Sequence, residues 1–296
     1  MQDRPCFHKV NRFVSHFREL EKQAYSLTKE EEQSWQALKE KLSASVPEEQ
    51  RFPVSRRIIA IAGLYPRAGA SFLAGNFAYY LAGKGIPTTL CEMPGIVSYY
   101  YFALDFERRA HQDLKDSAEK MLLLQNNLLR IKVDASLQKQ NPSQMDITNW
   151  LLLVNKDSPC VIFDLSSYWT EESVHRIMAL ADEIWLVFDS DVARLTSLFL
   201  SEKAPKAWKS MADKIRIIAN KWNPHLARSG VMKRVEGTVS LWDEEHQKRE
   251  IDATFPLIDS QKVSIAQSKA SLLLEVHPEE GKWFELLVFT EKGRML

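Results

Sequence analysis

The chain has 296 residues, of which 45% are hydrophobic and 26% charged, and its 39 acidic residues balance its 39 basic residues. This length accommodates one large α/β domain or two smaller ones, each with a substantial core. Because the net charge is zero, the composition does not favour nucleic acid or an anionic membrane as the main partner. We interpret a local basic cluster as a solvated face: Lys203, Lys206, Lys209, Lys214 and Arg216.

Three cysteines, Cys6, Cys91 and Cys160, lie far apart, and the last two fall within apolar runs. This spacing fits neither a metal site nor a disulfide framework, and it is typical of a reducing compartment. The first residues show no apolar signal region, and no run approaches the roughly 18 apolar residues of a membrane-spanning helix. We therefore expect a cytoplasmic protein that reaches a membrane or a cell pole only through partners.

Residues 9–48 carry apolar side chains at intervals of three and four, beginning with Val10, Phe13 and Phe17. This spacing predicts amphipathic helices, and the proline-containing residues 45–53 predict a linker. We therefore divide the chain into a helical N-terminal arm with its linker, 1–52, and an α/β domain, 53–296. Two roles stay open for the apolar face of the arm, packing on the α/β domain or recruiting a partner.

From residue 57 onwards, apolar strand-like segments alternate with helical ones. The predicted strands are 57–62, 87–92, 128–133, 159–164, 183–188, 214–220 and 252–256. The predicted helices are 70–84, 145–155, 171–181, 192–211, 260–268 and 279–291, whereas 96–127 and 222–250 show no clear pattern. This alternation predicts a mainly parallel, doubly wound sheet. Ligands of such sheets bind at the carboxyl ends of the strands, so the loops after 62, 92, 164, 188 and 220 are expected to form the site.

Residues 56–74 combine an apolar strand, a tight loop and the start of a helix, which is the layout of a phosphate-binding loop. In such a loop, backbone N–H groups surround the phosphates, a lysine contacts them, and a Ser or Thr hydroxyl binds Mg²⁺. Gly69 and Ser71 match the glycine and the hydroxyl, but Ala70 takes the place of the lysine and Leu64 that of the opening glycine. The pattern predicts an amide cradle that has lost its cation.

Three polar residues end predicted strands on the carboxyl side. Asp164 has the position of the acid that holds the Mg²⁺ shell opposite the loop hydroxyl, and Glu92 would also face the phosphates. Asn220 carries a donor and an acceptor that can read a base edge. Roles in turns and caps remain the alternative for Asp164 and Asn220. The candidates for acid–base chemistry are therefore Glu92 and Asp164, and the candidate metal ligands are Ser71 and Asp164.

The order of these motifs over residues 56–292 resembles the ParA/MinD family of deviant Walker ATPases, a group of P-loop NTPases. The segment 76–85 is similar to the family's helix after the loop, 181–188 to its Ala-Asp strand, and Asn220-Lys221 to its base-side Asn-Arg/Lys pair. The C-terminal part, from Pro256 to Pro278, is also similar. The resemblance implies a nucleotide site for ATP and Mg²⁺ and a homodimer. The residues predicted to contact the nucleotide are Arg67, Ala68, Gly69, Ala70, Ser71, Phe72 and Asn220.

The departures from this family all fall on catalysis. The family has a lysine in the phosphate loop and a signature lysine that reaches across the dimer, and these positions read Ala70 and Tyr65 here. Phosphoryl transfer depends on positioned charge, so we expect very weak ATP hydrolysis or none. Arg67 is the candidate for a replacement cation in the alternative reading, an active ATPase.

Degenerate loops of this kind resemble those of the TadZ/CpaE branch, whose members help to assemble Flp/Tad pilus secretion machinery. The resemblance therefore implies an assembly or localisation factor with protein partners in an envelope or secretion machinery. The alternative is an active ATPase that positions cargo or partitions a chromosome or plasmid. The aromatic run Tyr99-Tyr-Tyr-Phe102 adds one further expectation. Its four side chains cannot all point inward from one element, so at least one should be exposed.

Overall fold

The structure is a computed structural model, and it describes residues 56–93, 97–110, 119–134, 150, 154, 158–223, 230–243 and 248–288. The predicted arm and linker, 1–52, lie outside the described residues, and so does most of the predicted helix 145–155. The division of the chain at residue 52 therefore stays a prediction.

The described residues form eight strands. They are β1 (Arg57–Gly63), β2 (Thr88–Glu92), β3 (Glu119–Leu124), β4 (Leu129–Asp134), β5 (Cys160–Asp164), β6 (Glu183–Phe188), β7 (Ile215–Trp222) and β8 (Ala253–Pro256). All belong to one sheet in the order β3-β4-β2-β5-β1-β6-β7-β8, in which only the β3–β4 pair is antiparallel. The predicted mainly parallel sheet is confirmed, and each predicted strand is present.

Helices connect the strands. They are α1 (Ala70–Gly83), α2 (Tyr99–Ala103), α3 (Phe106–Arg109), α4 (His175–Leu180), α5 (Val192–Phe199), α6 (Lys203–Lys209), α7 (Gly230–Trp242), α8 (Ser260–Ser268), α9 (Leu273–Val276) and α10 (Lys282–Val288). Short 3₁₀ turns at Glu172–Val174, Ala212–Lys214 and Pro278–Gly281 precede α4, β7 and α10. No helix within the described ranges is long and apolar enough to cross a membrane.

The sheet is covered on both faces, as its apolar strands require. In β1, Ile59 and Ile61 pack into one buried cluster, whereas Ala60 and Ala62 pack into another, because successive side chains of a strand point to opposite faces. The first cluster contains buried residues of α1, α2, α9 and α10. The second contains those of α4, α5, α6 and α7. This is the doubly wound arrangement that the alternating sequence predicts.

No clear pattern is present in 96–127, yet the structure places strand β3 there, in an edge hairpin with β4. Strands β3 and β4 are joined through Gln125, Asn126 and Asn127, whose φ angles are 50°, 54° and 67°. Asparagine tolerates this left-handed backbone better than most residues, so the Asn-Asn pair was a usable turn signal.

One helical prediction needs correction, and one helix was not predicted. The single predicted helix 192–211 is two helices, α5 and α6, and Pro205 lies in the first turn of α6, where a missing N–H is tolerated. The segment 222–250, for which no helix was predicted, contains the 13-residue helix α7. Its buried residues recur at helical spacing, at Met232, Val235, Val239 and Trp242. That apolar stripe was readable among the surrounding charges.

Two of the three cysteines lie in the sheet. Cys91 and Cys160 are buried free thiols, and burial raises the pKa of Cys160 to about 12. A thiol with so high a pKa is unreactive at neutral pH, which agrees with a packing role for this residue.

Candidate functional site

The candidate site lies where five neighbouring parallel strands end. In the sheet, β2, β5, β1, β6 and β7 are adjacent, so their carboxyl ends share one edge. Glu92 and Asp164 pair in register there, at the ends of β2 and β5. The loop after β1 and the residues Asp189 and Asn220 lie at the same edge, at the ends of β6 and β7. The structure thus brings together the strand-end residues that the sequence predicted.

The loop between β1 and α1 is held from outside by side chains. Three successive carbonyl groups accept hydrogen bonds from distant donors: Pro66 from Arg194 Nη1, Arg67 from Lys221 Nζ at 2.7 Å, and Ala68 from Asn220 Nδ2 at 2.8 Å. Carbonyl groups that point to outside donors leave the N–H side of such a loop for an anion. The loop therefore has the shape of a phosphate cradle although it lacks the usual lysine.

Gly69 is required at the end of this loop for two reasons. Its φ of 99° is left-handed, and a Cβ atom at this position would lie 2.2 Å from Asn220 Nδ2. Gly69 is also the N-cap of α1 and offers no side chain to the first turn. The N–H groups of Ala70 and Ser71, which have no partner within a helix, are thus positioned for an anion.

Neither position that carries a lysine in the resembled family presents a charge here. Ala70 is 5% exposed and packs in the apolar core. Tyr65 is also 5% exposed, and its hydroxyl lies 2.8 Å from Asp189 Oδ1 and accepts the N–H of Asp189 at 3.0 Å. Burial, the largest effect, and the Asp189 carboxylate raise the pKa of Tyr65, and the N–H of Asp189 only partly opposes this rise, so the phenol stays neutral.

Three cations lie beside the loop, and one of them is Arg194, which bonds the carbonyl of Pro66. Arg67 has an exposed side chain and a left-handed φ of 71°. The ammonium of Lys221 forms an ion pair with Asp189 Oδ2 at 2.9 Å in addition to its bond with the loop carbonyl. Burial tends to raise the pKa of Asp189, but the hydrogen bonds from Lys221 and Tyr65 outweigh it, so the net shift is downward. Lys221 and Arg194 are thus engaged in holding the loop, and Arg67 is an exposed cation within it.

Asp164 has the surroundings expected of a metal ligand. It is completely buried, and its Oδ1 accepts the N–H of Ser166 at 2.8 Å, whereas its Oδ2 has no hydrogen-bond partner among the described residues. Burial raises the pKa of Asp164, and the nearby hydroxyls of Ser71 and Tyr100 oppose that rise. An unpartnered carboxylate oxygen beside a Ser hydroxyl fits a hard divalent cation such as Mg²⁺.

Phosphates and water would have to complete such a coordination shell. The described part of the chain contains no group of three or more His, Cys, Asp or Glu residues that could hold a metal ion without other ligands. Mg²⁺ in phosphate sites commonly binds one or two protein oxygens and keeps several waters. The pair Ser71 and Asp164 therefore fits an ion that arrives with a phosphate group.

Glu92 is engaged differently from the sequence expectation. Its Oε1 accepts the N–H groups of Tyr99 at 2.6 Å and Tyr100 at 3.2 Å, and its Oε2 accepts the hydroxyl of Ser98. Burial, the largest effect, raises the pKa of Glu92 to about 7, and the negative charge of Asp164 adds to the rise. Oε1 of Glu92 thus caps helix α2, and Oε2 holds its N-cap residue Ser98. The predicted chemistry of Glu92 at the phosphates stays a prediction.

Asn220 also has a structural partner. It is 2% exposed, and its amide nitrogen is committed to the carbonyl of Ala68. Its predicted contact with a base edge stays a prediction. Phe72 is half-buried and packs edge-on against Phe255 at 6.5 Å between ring centroids.

Phe72 also lines a cleft beside Ser71. The cleft opens to solvent and lies between α1, α2 and α8. Tyr99, Leu104 and Ala266 contribute to its mainly apolar walls.

Sequence reasoning missed Asp189 and Arg194, and it named Lys221 only through the resemblance of the Asn220-Lys221 pair. Asp189, Lys221 and Arg194 contact Tyr65, Arg67 and Pro66 in the structure. Asp189 could have been found, because it follows a buried strand just as Asp164 does. Arg194 lies in a helix after that strand, and its sequence shows no signal for this contact.

Solved structures share this fold. The ParA family ATPase from Chlorobium tepidum TLS superposes with a TM-score of 0.57 and 15% identity over 78% of this chain and 96% of that one. The cell division ATPase MinD from Pyrococcus furiosus gives a TM-score of 0.58 and 13% identity over 78% and 96%. The MinC:MinD cell division protein complex from Aquifex aeolicus gives 0.53 and 16% over 78% and 93%.

At this level of identity the likeness shows the fold alone. No protein-family model matches the sequence, and no curated protein sequence matches it either. The chain therefore has the fold of the ParA/MinD P-loop ATPases, as the order of its motifs predicted. Its function has to be argued from the site.

Proposed function

We propose that this protein binds a Mg²⁺-nucleotide at the β1–α1 loop without turning it over, and that it acts through protein partners as an assembly or localisation factor. The observation that carries the proposal is the pair of lost lysines. Ala70 and Tyr65 are both 5% exposed, and neither brings a positive charge to the phosphates. Catalysis of phosphoryl transfer is mainly electrostatic, so the missing cations should slow the chemical step far more than binding.

Binding is supported by groups that remain. The first-turn N–H groups of α1 and the outward-bonded carbonyls of the loop give an amide cradle, and Asp164 with Ser71 offers oxygen ligands to Mg²⁺. ATP is the nucleotide that the resemblance implies. When bound, Mg²⁺ neutralises phosphate charge, and the chain's own part is to place the amide groups and the two ligands around it.

A role through protein partners is supported by the fold comparison with a MinC:MinD complex and by the charge balance of the chain. The basic cluster gives little support to nucleic acid, because Lys203 pairs with Glu171 at 3.3 Å and Arg216 with Glu183 at 3.1 Å. Homodimer formation, recruitment to a membrane or cell pole, and a place in a Flp/Tad-type pilus machinery are finer parts of the proposal. They rest on the resemblance of the degenerate loop.

Two measurements on the purified protein test the proposal. Titration calorimetry with Mg²⁺ and ATP should show binding, whereas phosphate release should not exceed the background rate. Asp164→Asn should weaken the Mg²⁺-dependent part of the binding. Ala70→Lys should tighten binding but leave turnover low, because the second lysine position is still Tyr65.

Measurable ATP hydrolysis would contradict the proposal. A Mg²⁺-dependent hydrolysis rate of about 0.01 per second or more, abolished by Asp164→Asn, would show an active ATPase. In that case Arg67 becomes the first residue to test as the replacement cation, by Arg67→Ala. Retention on DNA that falls steeply with salt would instead indicate a partition function.

A further inference from the structure

Helix α2 is attached to the candidate metal site by two side chains. Glu92, at the end of β2, caps the first N–H groups of α2. From the helix itself, the hydroxyl of Tyr100 donates a hydrogen bond to the backbone carbonyl of Ser71 at 2.7 Å. Ser71 and Asp164 are the proposed metal ligands, so α2 bonds the backbone of a residue whose hydroxyl is one of the two ligands.

The ring of Tyr100 lies between α2 and α1 because Gly75 makes room for it. A Cβ atom at Gly75 would lie 3.0 Å from Tyr100 Cε1 and 3.3 Å from its hydroxyl oxygen. Tyr100 is 1% exposed, and it lies close enough to the fully buried Asp164 for each to shift the other's pKa. Tyr100 therefore helps to enclose the carboxylate whose Oδ2 has no described partner.

The other side of α2 is open to solvent and aromatic. Tyr99 is 46% exposed and Phe102 is 59% exposed, and Val97 before the helix is 48% exposed. The same five-residue helix thus has one side chain in the metal site and two on the surface.

We propose that Tyr100 is a positioning residue that couples divalent-cation binding at Ser71 and Asp164 to the stability of α2 and its exposed aromatic face. The coupling rests on the proposed Mg²⁺-nucleotide site. When α2 opens, Tyr100 leaves Asp164 and releases the carbonyl of Ser71, so the ligand pair is no longer held. The cation therefore binds the closed form of α2 in preference to the open form.

Linkage fixes the size of the effect. A ligand that binds only the closed form slows opening-limited exchange by a factor of 1 + [L]/Kd, which is about tenfold at ten times Kd. By reciprocity, a partner that binds and holds α2 closed raises the affinity for the cation by the same factor. Binding of a partner at the aromatic face and binding of the cation at the metal site then each strengthen the other.

Two readouts on the full chain test the coupling. Electron paramagnetic resonance with Mn²⁺ and ADP gives the Kd of the cation, and hydrogen exchange measured by mass spectrometry follows the amides of residues 97–106. At ten times Kd we expect these amides to exchange about tenfold more slowly than with ADP and a chelator. In Tyr100→Phe the cation should still bind, but it should no longer slow the exchange of these amides.

Tyr101→Phe is the matched control. It removes the same atom from the next residue of α2, whose hydroxyl bonds Glu107 at 2.8 Å and not the metal site. This variant should keep the full slowing. A purely structural role of Tyr100 would raise exchange equally with and without the cation, so the dependence on the cation separates the two roles.

The outcomes are distinct. If Mn²⁺ binds and exchange of 97–106 does not change in the unaltered protein, the coupling is overturned and the nucleotide site stands. If the cation slows amide exchange in Tyr100→Phe as much as in the unaltered protein, Tyr100 is not the coupling residue and the inference is also overturned. If no Mn²⁺ binds, both the inference and the proposed function fail. Should Tyr100→Phe not fold, the comparison on the unaltered protein decides the coupling alone.

Discussion

The hydroxyl of Tyr65 lies 2.8 Å from the Oδ1 atom of Asp189, 124 residues further along the chain. Asp189 Oδ2 in turn pairs with Lys221, which bonds the carbonyl of Arg67. A chain of contacts therefore runs from the start of the loop to β6 and β7 and back to its middle. Tyr65, which the sequence resemblance places at the family's signature lysine, contributes to the shape of the loop and supplies no positive charge.

Removing the hydroxyl of Tyr65 tests this contact. Tyr65→Phe leaves the N–H of Asp189 without its partner, whereas the Asp189 carboxylate keeps Lys221 and the N–H of Asp191. We expect the free energy of unfolding to fall by about 1–3 kcal/mol. Urea unfolding followed by circular dichroism measures the change. Tyr168→Phe serves as the control, since Tyr168 is 39% exposed and should change stability by less than about 0.5 kcal/mol. Equal stability of both variants would mean that the Asp189 contact contributes nothing.

Replacing glycine by alanine should change the stability in opposite directions at two positions, 69 and 237. Gly69→Ala places a Cβ atom 2.2 Å from Asn220 Nδ2 at a φ of 99°, so it should cost about 1–3 kcal/mol and displace the amide that holds the loop. Gly237→Ala lies on an exposed side of α7 with no atom within 4 Å of the added Cβ. It should stabilise the protein by about 0.5–1 kcal/mol. Thermal unfolding of the two variants checks both signs, and a stable Gly69→Ala protein would contradict the close approach of Asn220.

The buried carboxyl of Glu92 predicts a pH dependence. Its folded pKa of about 7 exceeds the ordinary value of 4.5, so between these values the folded form holds a proton that the unfolded form has released. The contribution of Glu92 is therefore fully present below pH 4.5 and is lost as pH rises through 7. The total is roughly 3 kcal/mol, because one pKa unit corresponds to about 1.4 kcal/mol.

Glu92→Gln isolates this contribution. The amide oxygen can still accept the N–H groups of Tyr99 and Tyr100, and the side chain no longer carries a buried charge. We expect the stability difference between the variant and the unaltered protein to shift in favour of the variant between pH 5 and pH 8. Urea unfolding at several pH values measures it, and a difference independent of pH would rule out titration of Glu92.

The aromatic run offers a contrast between neighbours. The expectation that at least one side chain of the run is exposed is confirmed, since Tyr99 is 46% exposed and Phe102 59% exposed, whereas Tyr100 is 1% exposed. Tyr100→Ala should therefore cost about 3–5 kcal/mol, and Phe102→Ala should cost less than about 0.5 kcal/mol. Thermal unfolding of the pair measures the contrast. Similar losses in both variants would contradict the orientation of α2.

The N-terminal arm gives a last prediction, which depends on the sequence alone. The first strand begins at Arg57, and the linker-like residues before it suggest that the α/β domain folds without residues 9–48. A chain that begins at Phe52 should keep its melting temperature and lose its placement in the cell, as seen by fluorescence microscopy. Aggregation, or a melting temperature lower by several degrees, would assign the arm to the core of the domain.

The sequence by itself determined the sheet and the edge at which the site lies. Short apolar runs separated by helical segments can be satisfied only by strands buried on both faces, and parallel strands bring their carboxyl ends together. Glycine at position 69, the hydroxyl of Ser71 and the carboxylate of Asp164 followed from local spacing. The absence of the loop lysine could be read from the sequence in the same way.

Only the tertiary structure decided which side chains bond the loop and the helix at that edge. Asn220 and Lys221 bond carbonyls 152 and 154 residues away, and Glu92 caps a helix where it was expected to face phosphates. Periodicity along a chain reports which residues are buried, because burial repeats with the geometry of a helix or strand. It carries no information on the direction of a side-chain hydrogen bond between strands distant in sequence, since the packing of the whole sheet sets that direction.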